Sequence, residues 1–129
     1  MEYFQRIDEE CAIARQLTPE QIQQLPPAGF HSVLNLRSPH EPGVLGDERQ
    51  QIEALGLTYA NIPMPLDLLN SKLAEQVLST IETLPKPILI YCASSLRASA
   101  IALLEIARRQ ELAPEQVVEL GLTMGFDYE

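Results

Sequence analysis

Basic residues are scarce in this chain: nine Lys and Arg stand against 18 Asp and Glu in 129 residues, a formal net charge of -9. That surplus repels nucleic acid and anionic lipid surfaces, so neither is expected as a partner. Cysteine is limited to Cys11 and Cys92, which excludes a disulfide framework and points to a reducing compartment. Histidine is limited to His31 and His40, neither at ligand spacing from a cysteine, so no metal site is expected. No run approaches the roughly 18 apolar residues of a membrane span. The start, Met1-Glu2-Tyr3-Phe4-Gln5-Arg6, lacks the basic-then-apolar order of a signal peptide. The expectation is a soluble, cytoplasmic protein. Repeats, low-complexity tracts and Gly/Ser linkers are missing too, and 129 residues suit one core, so 1–129 reads as a single domain.

What is present is an alternation of short apolar runs and helical patterns. Cys11–Ala14 suggests a first strand. Thr18-Pro19-Glu20-Gln21 then supplies an N-cap, a proline at the first helical position and a Gln placed to close a capping box. The helix it opens runs to about Leu25. Ser32–Leu36 predicts a second strand, Asp47–Leu55 a helix ended by Gly56, and Thr58–Ile62 a third strand broken by Pro63 and Pro65. Leu68–Leu84 repeats apolar residues at helical spacing through Leu69, Leu73, Val77 and Ile81, and the leucine stripe reads as core. The run after Pro87 is a buried strand that ends at Cys92. From Ala98 the spacing of Ile101, Leu104 and Ile106 predicts a final helix ending near Arg108-Arg109. Such alternation implies right-handed crossovers and an α/β, three-layer fold: a short, mostly parallel sheet of four to five strands flanked by helices.

Ligands bind such sheets at the strands' carboxyl ends, where Arg37, the Pro63–Asp67 segment and Cys92 all fall. The segment Cys92-Ala93-Ser94-Ser95-Leu96-Arg97 leads from a strand into a helix N-terminus, whose unpaired N–H groups attract anions. Consecutive loop amides can close around the same charge. A thiol placed at such a terminus beside an arginine ionises more readily, and the thiolate is the nucleophile. Arg97 offers a planar fork of donors that matches two phosphate oxygens. An isolated cysteine at a strand end is, however, more often a small core residue. The sulfur is therefore expected to be exposed beneath the loop if Cys92 is functional and packed away if it is not.

The order Gln16-Leu17-Thr18-Pro19-Glu20-Gln21, Gly29-Phe30, Val33-Leu34-Asn35-Leu36-Arg37, Ile62-Pro63 and Cys92-x4-Arg97 resembles the phosphatase-like domain of bacterial beta-lactamase hybrid proteins, a compact relative of the dual-specificity protein tyrosine phosphatases. The resemblance spans roughly residues 8 to 110. It implies a cysteine phosphatase-like fold and hydrolysis of a phosphate monoester, a phosphoprotein among the candidate substrates, through a phosphocysteine and without a cofactor. The usual phosphatase loop has five residues between Cys and Arg, a His before the Cys, a Gly three places after it and a hydroxyl after the Arg. Here four residues intervene, with Tyr91, Ser95 and Ala98 at those positions and Ser99 one place later. Binding is expected to survive these departures better than turnover, so a phosphate-binding pseudophosphatase is the alternative. The four-residue spacing also matches the loop of rhodanese-like sulfurtransferases.

The resemblance assigns Cys92 as nucleophile and Arg97 with the amides of Ala93, Ser94, Ser95 and Leu96 as phosphate ligands. It places the general acid in the stretch that contains Asp67. Asp67 reads equally well as the N-cap of the helix that follows. Arg37 either lines the pocket or faces solvent. His40, Glu41 and Asp47 are weaker acid candidates, most such loop charges being solvated. Ser94 and Ser95 lack a His and an acid to activate them as nucleophiles. Cys11 reads as core. The sequence leaves the oligomeric state open.

Overall fold

The computed structural model describes residues 3–38, 47–64, 72–93, 96–110 and 116. Its elements, in chain order, are β1 (Phe4–Arg6), β2 (Cys11–Ala14), α1 (Pro19–Gln23), β3 (Ser32–Asn35), α2 (Glu48–Ala54), β4 (Thr58–Asn61), α3 (Lys72–Thr83), β5 (Ile88–Tyr91) and α4 (Leu96–Gln110). One five-stranded sheet has the order β1-β2-β5-β3-β4. β5 lies at its centre, parallel to β2 and to β3, and β3 is parallel to β4. Only β1 runs antiparallel, against β2.

β5 shows why the fold has three layers. Its residues are all buried, as a parallel strand covered on both faces requires, and alternate residues enter different cores. Ile88, Ile90 and then Cys92 point to the layer that contains Val77, Leu78 and Ile81 of α3 and Ala98, Ile101 and Ala102 of α4. Leu89 and Tyr91 point to the layer with Ile22 of α1 and Ile52 of α2. Each fully buried Ile or Leu stabilises the fold by about 1.5–3 kcal/mol relative to exposure.

Local signals set the helix ends. Thr18 Oγ1 accepts the Gln21 N–H at 3.1 Å and the Gln21 side chain accepts the Thr18 N–H at 2.9 Å, the capping box expected from sequence. After α2, Gly56 donates to Glu53 O at 3.0 Å and Leu57 to Ile52 O at 3.4 Å, while Gly56 takes φ +83°. The paired bonds satisfy carbonyls that the helix end would leave bare, and the left-handed residue between them favours glycine. Gly29, at φ +98°, closes the turn after α1 in the same way.

Three details differ from the sequence expectations. β1 is an additional edge strand; Arg6 lies 5.3 Å over the Phe4 ring and 5.2 Å over the Phe30 ring, which holds it there. α4 starts at Leu96, so Arg97 sits in its first turn rather than in the loop. Along α4 the deeply buried apolar residues are Ala98, Ile101, Ala102, Leu103 and Ile106, whereas Leu104 packs only partly at the margin. Among the described residues, no helix is long and apolar enough to cross a membrane.

Candidate functional site

Sheet register brings four chain exits to one edge. Tyr91 is the partner of both Ala14 and Asn35, and Asn35 is the partner of Asn61, so β2, β5, β3 and β4 end level with one another. Hydrogen bonding continues past the ladder: Leu36 N–H to Tyr91 O at 3.0 Å, Cys92 N–H to Ala14 O at 3.3 Å, and Met64 N–H to Leu36 O at 3.0 Å. The Gln16 N–H donates to Ala93 O at 3.4 Å, tying the residue after Cys92 to the exit of β2.

Cys92 occupies the turn between β5 and α4, and its Sγ accepts the main-chain N–H of Ala98 at 3.4 Å. The bond aims one of the otherwise unpaired amides of the first helical turn, and the positive end of the helix dipole, at sulfur. The side chain is 0% exposed and shares its core with Leu36, Met64, Ala98 and Ile101. The sulfur exposed at the floor of a pocket, expected if Cys92 is functional, is therefore not what the structure displays; the β5 alternation turns Cys92 into the α3/α4 layer. Arg97 is half-buried, and its Nη1 donates to Leu36 O at 3.2 Å and Met64 O at 3.3 Å. Those bonds seat the guanidinium across the exits of β3 and β4.

Arg37 is 5% exposed, so the solvent-facing alternative is excluded. Its Nη1 donates to Gln16 Oε1 at 2.8 Å, and Gln16 Nε2 donates to Glu48 Oε1 at 2.8 Å. The other carboxylate oxygen of Glu48 accepts Asn35 Nδ2 at 3.3 Å, and Asn35 Nδ2 also lies 3.0 Å from Tyr59 Oη. Asn35 Oδ1 accepts the Arg37 N–H at 2.9 Å, while Asn61 Nδ2 donates to Asn35 O at 2.9 Å and Arg37 O at 2.8 Å. Glu48, 2% exposed, has its carboxyl raised above the ordinary 4.5, chiefly by burial, against the opposing hydrogen bond from Gln16 and the charge of Arg37. Burial also raises the Tyr59 phenol above 10.0, opposed by the hydrogen bond from Asn35.

Of the residues singled out from sequence, Cys92, Ala93, Arg97 and Arg37 thus meet at one sheet edge. The backbone of Leu96 opens α4. Asp67, Ser94, Ser95, His40 and Glu41 lie outside the described residues. Asp47 is the N-cap of α2 and makes no side-chain capping bond. Ser99 is 5% exposed on α4. Cys11 is core, as expected; it pairs with Ile88, four residues before Cys92, about 13 Å along the strands. That distance is beyond disulfide reach. The sequence motifs assign no site role to Gln16, Asn35, Glu48 or Tyr59; the available signal was Asn35, a polar residue within an apolar strand. Among the described residues no cluster of His, Cys, Asp and Glu could hold a metal ion.

No protein-family profile matches the chain, and no curated protein does. Solved structures do. A candidate phosphatase from Neisseria meningitidis Z2491 superposes with a TM-score of 0.81 at 20% identity, over 100% of this chain and 93% of that one. A candidate phosphatase of the DUF442 group from Shewanella putrefaciens CN-32 gives 0.79 at 21% identity, over 92% and 77%. TpbA of P. aeruginosa, solved in complex with pTyr, gives 0.75 at 12% identity, over 92% and 70%. The chain therefore has the fold of the protein tyrosine phosphatase-like cysteine phosphatases. These neighbours show that fold and do not support the narrower beta-lactamase hybrid name.

Proposed function

We propose that the protein is a cysteine-dependent phosphatase acting on a phosphate monoester, with substrate binding uncovering the Cys92 sulfur that is buried in this structure. The observation that carries this reading is the Cys92 sulfur at the end of β5, bonded to the Ala98 N–H in the first turn of α4, with Arg97 in the same turn. The fold adds independent support. The anionic sulfur attacks phosphorus; the S–P bond forms as the P–O bond to the leaving group breaks, and an acid gives its proton to the departing oxygen. Water then attacks the phosphocysteine, the same group takes a proton from that water, and inorganic phosphate leaves as the thiolate is regenerated. Arg97 and the amides of Ala93, Ser94, Ser95 and Leu96 hold the phosphoryl oxygens. Buried Arg37 adds positive charge beside them. Asp67 is the acid in this scheme, and no step requires a cofactor. The pTyr bound in TpbA makes phosphotyrosine the first substrate to try here.

A second reading is phosphate binding without turnover. It is favoured by the complete burial of Cys92 and by Ala98, which puts a methyl where a hydroxyl would help the thiolate depart.

Aryl phosphate hydrolysis separates the two. The first reading expects measurable turnover, abolished in Cys92→Ser and lowered about 10²–10⁴-fold in Asp67→Asn. Competitive binding of vanadate or inorganic phosphate with no hydrolysis supports the second. Hydrolysis that persists undiminished in Cys92→Ser overturns the assignment of the nucleophile.

A further inference from the structure

We infer that Glu48 is a positioning residue of this site, acting through Gln16 on both Arg37 and the turn after Cys92. The inference rests on the phosphatase reading for its catalytic consequence, although the contacts themselves do not depend on it.

The chemistry of the donors fixes the direction of every bond. Arg37 can only donate, so Gln16 must present Oε1 to it and therefore Nε2 to Glu48. An ionised Glu48 can only accept, which suits Gln16 on one oxygen and Asn35 on the other. Asn35 is held the opposite way, Nδ2 toward Glu48 and Oδ1 toward the Arg37 N–H. Reversing any one amide sets donor against donor. Glu48 is thus the acceptor on which the polarity of the set terminates, and Asp47, Arg37 and Tyr59 are the other ionisable groups that act on it.

The location separates this set from an ordinary core feature. The rest of the α1/α2 layer is built from Ile22, Leu25, Val33, Ile52 and similar residues, and an apolar pair is commonly at least as stable as a buried ion pair. The charged residues 37 and 48 lie instead at the carboxyl edge of the sheet. There Gln16 uses its main-chain N–H on Ala93 O, adjacent to Cys92, and its side chain on Arg37 and Glu48. A loss at Glu48 therefore propagates to the phosphate site along two routes.

The test compares Glu48→Gln with the reciprocal double variant Gln16→Glu/Glu48→Gln, which offers Arg37 a carboxylate and still pairs positions 16 and 48. Glu48→Gln should lower kcat/KM for an aryl phosphate and raise the inhibition constant of inorganic phosphate by roughly 10- to 100-fold, a common consequence of small misplacements. It should also accelerate hydrogen exchange of the Gln16 amide, and the double variant should restore all three. Ile52→Val, a packing change on the same helix, should alter none of them. Unchanged Gln16 exchange in Glu48→Gln, failure of the double variant to restore, or an equal loss in Ile52→Val overturns the inference. A native protein that neither hydrolyses aryl phosphates nor binds phosphate refutes the phosphatase reading instead, and the exchange measurements alone then decide whether Glu48 holds the turn.

Discussion

Tyr91 offers a sharp check on the placement of β5. Its side chain is 0% exposed in the α1/α2 layer, and its hydroxyl is buried without a hydrogen-bond partner among the described residues. A buried donor left unpaired carries a desolvation cost of about 1–3 kcal/mol, which the apolar ring of Phe does not incur. Tyr91→Phe removes one oxygen and leaves the ring in place, so it is expected to stabilise the protein by about 1 kcal/mol. At the usual entropy of unfolding per residue, a chain of 129 residues converts that into a rise of about 4 °C in Tm. Thermal and urea unfolding followed by circular dichroism measure it. Tyr91 and Cys92 point into opposite layers, so aryl phosphate hydrolysis should not change. A Tyr91→Phe protein destabilised by about 1 kcal/mol or more would show that the hydroxyl is paired, and the argument for this face of β5 would fail.

Two further outcomes follow from the geometry. Gly56→Ala meets no atom within 4 Å at the new Cβ but must hold φ +83°, so it should destabilise by roughly 1–2 kcal/mol from strain alone, read from the urea midpoint. For Glu48 the folded-state value is raised, so its contribution to stability is fully present below the ordinary 4.5 and is lost as pH rises through the folded value. The stability of native protein relative to Glu48→Gln should therefore fall as pH rises above the ordinary 4.5, measured by urea unfolding at each pH; a difference that grows with pH contradicts the burial argument.

The parts of the fold legible in the sequence are those whose signals are local. The capping box at Thr18 and Gln21, the glycine stop at Gly56, and the apolar run into Cys92 all act within a few residues. β1 was not legible because three residues carry too little alternation; it is fixed by Phe30, far along the chain, against which Phe4 packs edge-on at 5.0 Å. The site divides in the same way. Cys92, Arg97 and Arg37 announce themselves by type and spacing. Glu48 does not, because an acidic residue in a first helical turn ordinarily faces solvent, and only the packing of α2 carries it under the sheet edge to Gln16 and Asn35.

The exit of β3 shows how a chain with net charge -9 can gather basic residues at one place. Residues 34 and 36 point into the α3/α4 layer and residues 33 and 35 into the α1/α2 layer, so the turn after Asn35 can be gripped from both faces. Arg97 approaches from the α4 side and bonds the Leu36 carbonyl. Arg37 takes the other side, its guanidinium on Gln16 and its N–H on Asn35. Two of the nine basic residues are thereby anchored around one strand end. Glu48 partly offsets Arg37, and burial opposes ionisation of that carboxyl. Local field depends on such fixed groups and oriented amides, including the Ala98 N–H on the Cys92 sulfur, more than on the total charge of the surface.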